Sequence, residues 1–242
     1  MPAPFPLLDM PSGDRNNVFD FVAIHMAAAH NLFIQGVNAM VAHAPHVEGD
    51  KVQPFVIFAI SSLEGIHRHH HHEETYYFEA LETKLGKGYL DSTKEQHDTF
   101  VPQIDELEVW LRGVRDGTHV YDAKKMLSYI DAFADKMFEH LNEEVEKLDR
   151  ETIRKHFTEQ ELKAIDAEFM KRATSGVDLY TALPLATICA NPATPWFPAI
   201  PTPLKWANRI WFSRRYQESW EFGPLDLYGQ PKALLSPVTQ SS

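Results

Sequence analysis

Apolar residues recur every three or four positions in four long stretches of the chain, which is the spacing of an amphipathic helix. We predict helices over about 17–43, 54–86, 91–115 and 122–149. The connections between them are short to medium in length and carry Pro or Gly, as HAPHVEGD at 43–50 does. Long amphipathic helices joined in this way are typical of an up-down four-helix bundle, so we predict an all-α fold built on one.

Proline and tryptophan divide the chain into regions. Of the 16 prolines, seven precede residue 103 and nine lie from Pro184 onward, and four of the five tryptophans also lie in this last part. Because large aromatic side chains have much apolar area to bury, we predict that this part packs on the bundle as an irregular extension. The predicted regions are an N-terminal arm (1–16), the bundle (17–157), and a short helix near 158–172 with a Pro- and Trp-rich extension (158–242).

Charge and cysteine content exclude several classes of protein. The formal net charge is −11, and nucleic-acid binding depends on neutralising phosphates with Lys and Arg, so we expect no nucleic-acid partner. The single cysteine, Cys189, allows neither a disulfide framework nor a cysteine-based metal site. The start, MPAPFPLLDMPSGDRNN, does not resemble a signal peptide, and no apolar stretch reaches the length of a membrane span. We therefore expect a cytoplasmic protein without a membrane span.

The second predicted helix contains the sequence HRHHHHEETYYF at 67–78, in which five histidines precede two glutamates. By the helical repeat, His70 and Glu74 continue the apolar line of this helix and point into the bundle. His69 and His72 lie a quarter-turn or more from that line, and we predict that they are solvated.

Histidines lie on the apolar faces of the other three helices as well. His140 and Glu144 form a second pair at i, i+4, His97 begins the apolar line of the third helix, and His30 lies on that of the first. A single inward histidine is more often a core residue than a ligand, but a buried carboxylate is costly unless it is paired or metal-bound. The inward-facing residues are His30, His70, Glu74, His97, His140 and Glu144; His25, which lies on a neighbouring line, His67, which lies close to the inward line, and the flanking Glu73 are weaker candidates.

Antiparallel helices can bring these side chains to one level inside the bundle. Imidazoles and carboxylates without a thiolate suit a pair of iron ions with the glutamates as bridges. Manganese would also fit, whereas a lone zinc would not use so many ligands. A ferritin-like di-iron bundle would need two Glu-x-x-His motifs, and the sequence has one, at Glu64–His67.

The chain resembles the hemerythrin-like family, the HHE cation-binding domains, over about residues 17–150. The motifs that carry the resemblance are HN at 30–31, HHHHEE at 69–74 leading to Phe78, the lone His97, and HLNEE at 140–144. The stretch WEFGPLDLYGQPKAL at 220–234 is similar to the C-terminal part of fungal members. The resemblance implies two irons with a bridging oxo or hydroxo group, His30 and His70 on one iron, His97 and His140 on the other, and Glu74 and Glu144 as bridging ligands.

Two departures from the oxygen-carrying members of that family affect the expected function. Those members have a second histidine four residues after the one at position 97, where this chain has Val101. They also bridge with an Asp five residues after the histidine at position 140, whereas Glu144 comes four residues after it. A missing ligand leaves room on one iron and argues against simple reversible O2 carriage.

Three alternative functions are compatible with these sequence features. The first is a di-iron oxidoreductase that binds and activates O2 or peroxide and acts on an unknown small molecule, with Tyr76 or Tyr77 as weak candidates for supplying a proton or an electron. The second is a non-catalytic protein that binds or senses O2, iron or nitric oxide. The third is a metal-free bundle whose histidines only form hydrogen bonds. A cavity that joins the metal level to the surface under the C-terminal extension would favour the first over the second.

Overall fold

A computed structural model describes residues 5–232, and these residues form helices and connecting loops with no β-strand. The predicted four-helix bundle is confirmed. Its long helices have the bounds α1 Val18–His43, α2 Val52–His72, α4 Asp91–Arg115 and α5 Ala123–Lys147, and a π-helical turn, Glu73–Tyr77, joins α2 to its continuation α3, Phe78–Leu85.

Contacts between the ends of the long helices establish that neighbours run antiparallel. The Tyr121 hydroxyl, just before α5, donates to the Ala44 carbonyl at the end of α1 (2.9 Å). Gln53 at the start of α2 donates to the Val114 carbonyl at the end of α4 (3.2 Å). Gln96, near the start of α4, donates to a carboxylate oxygen near the end of α5 (2.6 Å). This arrangement brings the middle of α1 level with the end of α2, the start of α4 and the end of α5.

Local signals in the sequence begin and end these helices. The Asn17 side chain accepts the Phe19 N–H and caps α1, and the Asp122 side chain accepts the Lys125 N–H and caps α5. Gly86 ends α3 with a φ of 104°, a conformation that disfavours any residue with a Cβ. The helix predicted near 158–172 is confirmed as α7, Glu159–Thr174.

The π-helical turn changes the direction in which side chains leave the second helix. The Phe78 N–H donates to the Glu73 carbonyl, an i→i+5 bond that adds one residue to the turn. Tyr77, the last residue of the turn, is buried, and so are Phe78 and Leu81 in α3. The register of the side chains therefore changes within the stretch that carries the two glutamates.

The bundle interior is filled with large apolar side chains. Phe55, Phe58, Phe100 and Phe133 are fully buried in one continuous core. Truncating such a phenylalanine to Ala typically costs about 3–5 kcal/mol, so this core holds the helices that carry the polar groups.

The N-terminal arm packs on α1. The Phe5 N–H donates to the Asn38 side chain (2.7 Å), and the Leu8 N–H donates to the Asn31 side chain (2.7 Å). The Asn31 amide group donates back to the Leu8 carbonyl (3.1 Å). Asn31, the second residue of the HN motif, thus holds the arm; residues 1–4 of the arm lie outside the described part.

The C-terminal extension contains more regular structure than its prolines indicate. It comprises α7, α8 (Leu179–Ile188), α9 (Thr202–Ile210) and a 3-10 segment, Phe212–Phe222, that packs on α2 and α8; a short helix, α6 (Arg150–His156), precedes it. Burial of its aromatic residues is uneven. Trp220 is buried, but Trp206 and Trp211 are 60% and 65% exposed, so the expectation that these tryptophans are buried is wrong for the two on or next to α9. Ala233 and Leu234, the end of the WEFGPLDLYGQPKAL stretch, lie outside the described residues.

The first helix is the most apolar of the four long helices. Val18–His46 contains an 18-residue window with a mean hydropathy of 1.2, long and apolar enough to cross a membrane by composition. The expectation that no stretch meets this criterion is therefore wrong. The fold itself buries 56% of that window, as the core helix of a bundle requires, and this burial is compatible with a soluble protein.

Candidate metal centre

Seven side chains from the four long helices and the π-helical turn meet at one level of the bundle and form two adjacent sets of ligand atoms. Within each set the ligand atoms lie within 4.8 Å of one another. The four-ligand group consists of His30, His69, Glu73 and Glu144, and the three-histidine group consists of His70, His97 and His140.

The four-ligand group joins α1, α2, the π-helical turn and α5. His30 Nε2 lies 3.1 Å from His69 Nε2 and 3.3 Å from Glu144 Oε2, and His69 Nε2 lies 2.9 Å from Glu73 Oε1. Glu144 Oε2 is also 3.6 Å from His140 Nε2, so this carboxylate stands between the two groups. Both glutamates are fully buried.

The three-histidine group joins α2, α4 and α5. His97 Nε2 lies 3.1 Å from His140 Nε2. The His70 ring centroid is 4.5 Å from that of His97 and 5.2 Å from that of His140. All three rings are at most 3% exposed, and the ring of Phe100 packs against each of them.

Hydrogen bonds behind the rings determine which nitrogen carries the proton. The Nδ1–H of His30 donates to the Leu141 carbonyl (2.8 Å), and that of His97 donates to the Glu74 carboxylate (2.5 Å). The Nδ1–H of His140 donates to the Gln96 side-chain oxygen (3.1 Å). In each neutral ring the Nε2 lone pair then points into the site, which is the orientation that a supporting acceptor gives to a metal-ligating histidine.

Several inner atoms lie close to other ligand atoms without forming a hydrogen bond of suitable geometry. Neither nitrogen of His70 and neither carboxylate oxygen of Glu73 or Glu144 has a hydrogen bond within the described part of the chain. The Nε2 lone pairs of His97 and His140 face each other at 3.1 Å with no donor between them. Buried polar atoms without partners are costly, and a cation among them would remove that cost. The residues therefore fit a metal site.

Burial keeps the imidazoles of His69, His70 and His140 neutral. It lowers the pKa of His69 to about 4 and that of His140 to about 3, and it lowers the pKa of His70 well below the ordinary value. Neutral imidazole is the form that binds metal, so these side chains need to release no proton at neutral pH.

The two buried carboxylates differ. Burial and the nearby Glu144 carboxylate raise the pKa of Glu73 well above its ordinary value. Burial alone would also raise the pKa of Glu144, but the imidazoles around it outweigh that effect and hold its pKa below the ordinary value. Two like charges in one pocket resist joint ionisation, and a bound dication would allow both to ionise.

The structure brings together five of the six predicted ligands: His30, His70, His97, His140 and Glu144. The predicted orientation of Glu74 is wrong, because its side chain is 45% exposed and acts through a hydrogen bond to His97. The prediction that His69 is solvated is also wrong, because His69 is only 9% exposed and faces His30. Of the adjacent glutamates 73 and 74, it is Glu73, predicted to be a flank residue and a weaker candidate ligand, that is buried.

Of the three weaker candidates, Glu73 belongs to the four-ligand group, whereas His25 and His67 lie outside both groups. His25 packs between the rings of Phe21 and Phe197, at centroid distances of 4.9 and 5.2 Å, and burial lowers its pKa to about 4. His67 Nε2 lies 3.2 Å from Asp105. Exposed Glu64 pairs with Arg112 at the surface (2.7 Å), so the Glu64–His67 motif does not point into the bundle.

The two tyrosines face α7 rather than the ligand groups. The ring of Tyr77 packs on that of Phe169 at 4.8 Å, and the Arg172 guanidinium lies 4.4 Å from the centre of the Tyr76 ring. Burial raises the pKa of Tyr77. Neither hydroxyl has a hydrogen bond to a ligand residue among residues 5–232, which gives no support to a role in supplying a proton or an electron.

An open cleft of about 1420 Å³ runs along α2 beneath the C-terminal extension. We call it the α2–α8 cleft, because α2 forms one side and α8 with residues 197–204 forms the other. His70 and Glu74 line it, and so does Val101, whose side chain offers no metal-ligating atom. The three-histidine group thus borders a surface cleft, whereas the glutamates of the four-ligand group do not.

Comparisons with known proteins agree with this geometry. A family model of the hemerythrin HHE cation-binding domain matches residues 23–148, which contain all seven side chains. The chain is also 28% identical to the "Dimeric xanthone biosynthesis cluster protein R11" of Cryptosporiopsis sp. (strain 8999), over 98% of this chain and 92% of that protein. No solved structure matches significantly. On the family match and the buried His/Glu groups, the chain belongs to the hemerythrin HHE cation-binding domain family.

Proposed function

We propose that the protein is a non-heme di-iron oxidoreductase that binds and activates O2 or peroxide and acts on a small organic molecule in the α2–α8 cleft. The observation that carries the proposal is the contact between the three-histidine group and this cleft, at a point where Val101 offers no ligand. A closed site on both sides would instead suit storage or sensing.

Glu144 would serve both ions; the proximity of its carboxylate to His30 in one group and to His140 in the other supports this role. His69 and Glu73 would complete the ligands of the first ion, and His70 and His97 those of the second. Iron bound there would supply the redox chemistry and a place for O2 or peroxide to bind; manganese has similar ligand preferences.

The protein's own residues perform the remaining tasks. Glu74 and Gln96 fix the rings of His97 and His140, so the ligand atoms are oriented before any metal arrives. Phe100 covers the inner side of the three-histidine group and keeps water from it. The cleft holds the organic substrate next to His70, on the side that Val101 leaves open.

The relative supports an organic substrate, since its name places it in a biosynthesis cluster for dimeric xanthones. A cytoplasmic location would agree with the buried, unpaired thiol of Cys189.

The first experiment is metal analysis of the protein after iron loading and dialysis, with Glu144→Ala and His71→Ala as a matched pair. We expect about two irons per chain in the native protein and in His71→Ala, whose imidazole is exposed, and a large loss in Glu144→Ala. If the native protein retains no metal, the proposal is wrong.

The second experiment separates chemistry from binding. The iron-loaded protein is reduced without air, its optical spectrum is recorded, O2 is added, and the sample is then degassed. We expect O2 to be consumed and the oxidised spectrum to persist after degassing. Return of the reduced spectrum on degassing would instead identify a non-catalytic O2-binding or sensing protein.

A further inference from the structure

The α2–α8 cleft has a size and lining that identify a class of ligand. Its volume of about 1420 Å³ is roughly nine times that of a cavity of ~150 Å³ that holds a single benzene ring. It also exceeds the roughly 300–1,000 Å³ of ordinary small-molecule pockets. A substrate with one small ring would leave most of this space to water.

The lining is predominantly apolar and rich in flat side chains. Phe33 on α1 and Phe197 in the extension contribute aromatic rings, and several histidine rings of α2 border the same space. Leu183 and Leu185 of α8 form the opposite wall. Aromatic rings pack face to face or edge to face with other rings, so these walls favour a flat ligand over a flexible chain.

A glycine on the α2 side of the cleft has no structural explanation in the fold. Gly65 lies within α2, where Gly costs about 1 kcal/mol relative to Ala. A Cβ at Gly65 would meet Phe33 and Leu185 only at ordinary contact distances of 3.7 and 3.8 Å. By contrast, a Cβ at Gly36 would lie 3.3 Å from the Ser62 hydroxyl, so close helix packing accounts for that residue.

A similar contrast holds on α4, where a Cβ at Gly113 would lie 2.3 Å from the His119 ring. Among the α-helical glycines of residues 5–232, Gly65 is therefore the one that packing does not require, and it lines the cleft. A missing side chain there keeps the α2 side of the cleft flat and leaves space between Phe33 and Leu185.

Polar groups on α2 lie along one side of this apolar space. Arg68 donates one N–H to the Ser175 carbonyl (3.2 Å), and a guanidinium has five N–H groups to offer. His71 and His72 follow it, and all three line the cleft next to His70. A guanidinium can both stack on an aromatic ring and donate to its oxygen substituents.

We propose that the α2–α8 cleft binds a flat aromatic ligand of two or more fused or linked rings that carries hydroxyl or carbonyl oxygens. The rings lie over Gly65 between Phe33 and Leu185, and the oxygens face Arg68. The identification of this ligand as the substrate rests on the proposed di-iron function; its binding does not, because the lining exists without metal.

The test measures binding of 1,8-dihydroxyanthraquinone, a flat three-ring probe with both kinds of oxygen, by quenching of tryptophan fluorescence in metal-free and iron-loaded protein. Gly65→Phe and Ala186→Phe fill the cleft from its two sides, and Val109→Phe, on the exposed face of α4, is the matched control. We expect the Kd to rise at least about tenfold in both cleft variants and to stay unchanged in the control.

Two comparisons keep the inference falsifiable if a phenylalanine variant fails to fold. Gly65→Ala should raise the Tm by about 2–4 °C, since the extra methyl group fits and the helix gains propensity. Dodecanoate and phenol should bind at least about tenfold more weakly than the three-ring probe. Equal binding of dodecanoate, unchanged binding in the cleft variants, or a lower Tm for Gly65→Ala would each overturn the inference. If the probe binds but the native protein retains no iron, the di-iron proposal fails and the cleft inference stands.

Discussion

The two ligand groups share an ion-binding chemistry but differ in their surroundings. The four-ligand group contains both buried glutamates and lies among α1, the π-helical turn and α5, whereas the three-histidine group has only imidazoles and borders the α2–α8 cleft. Carboxylates neutralise the charge of a cation, and imidazoles alone do not. One group is thus suited to hold its ion firmly, and the other is suited to present its ion to a ligand from outside.

The largest effect on metal binding is expected when a ligand of the four-ligand group is removed. His69→Ala should weaken metal binding at the four-ligand group by at least about 100-fold, more than the loss of a supporting residue would, because it removes an inner nitrogen. Metal retained after dialysis and titration calorimetry measure the loss. His71→Ala is the matched control, and equal metal retention in the two variants would mean that His69 is no ligand.

The next largest effect on metal binding is expected when a residue that orients a ligand of the three-histidine group is removed. Glu74→Ala removes the acceptor of the His97 Nδ1–H and should weaken metal binding at the three-histidine group by about 10–100-fold, while the four-ligand group keeps its metal. Glu79→Ala, at an exposed position on α3, provides the control. Loss of both metals in Glu74→Ala would contradict the division into two groups.

A smaller effect, on turnover rather than on metal binding, is expected when the side of the three-histidine group that faces the cleft is filled. Val101→His places an imidazole one helical turn after His97 and within the cleft lining, so O2-dependent turnover should fall about tenfold while the metal content is unchanged. Steady-state O2 consumption measures the change. Val109→His adds an imidazole to the exposed face of the same helix, and a similar fall there would show that the effect has nothing to do with the cleft.

The smallest effect is expected for His25, a partly buried histidine outside both groups. Because the folded-state pKa of His25 is about 4, below its unfolded value, the unfolded chain takes up its proton first as the pH falls. The stability contributed by neutral His25 is therefore complete above about pH 6.5 and is lost progressively as the pH falls toward 4.

Between pH 7 and pH 6, metal-free native protein should lose about 0.7 kcal/mol more of its free energy of unfolding than His25→Gln does. Urea denaturation at the two pH values measures this difference. His25→Gln should also retain both metals, in contrast to His69→Ala. A variant with the same pH dependence as the native protein would mean that His25 is accessible to protons in the folded state.

Most residues of the metal centre can be predicted from the sequence, because they lie on regular helices. His30, His97, His140 and Glu144 lie on long helices without interruption, so counting positions along the helical repeat identifies their direction correctly. For the second helix, counting along the helical repeat gives wrong directions, for two reasons. This helix packs against both α1 and α4, so its buried arc is wide enough to include His69 and His70 together.

The second reason is local. The i→i+5 turn that begins at Glu73 adds a residue in the stretch that contains the two glutamates, and a constant helical repeat therefore assigns the wrong glutamate to the interior. The only signal in the sequence is that Glu73 follows His69 by four residues, just as Glu74 follows His70. The α2–α8 cleft could not be predicted from the sequence either. It depends on how α8 and residues 197–204 pack over α2, and no local sequence pattern encodes that packing.

The π-helical turn also matters for the design of such sites. His69 and His70 reach the two ligand groups from adjacent places on the regular helix, and the additional residue of the turn acts after them. It redirects the side chains that follow, so that Tyr77 packs on Phe169 and Phe78 packs on the His97 ring. The helix does not end there, since Val52–His72 and Phe78–Leu85 continue on either side. A designer could insert one residue at such a place to change the packing direction of a helix while its metal ligands stay on regular structure.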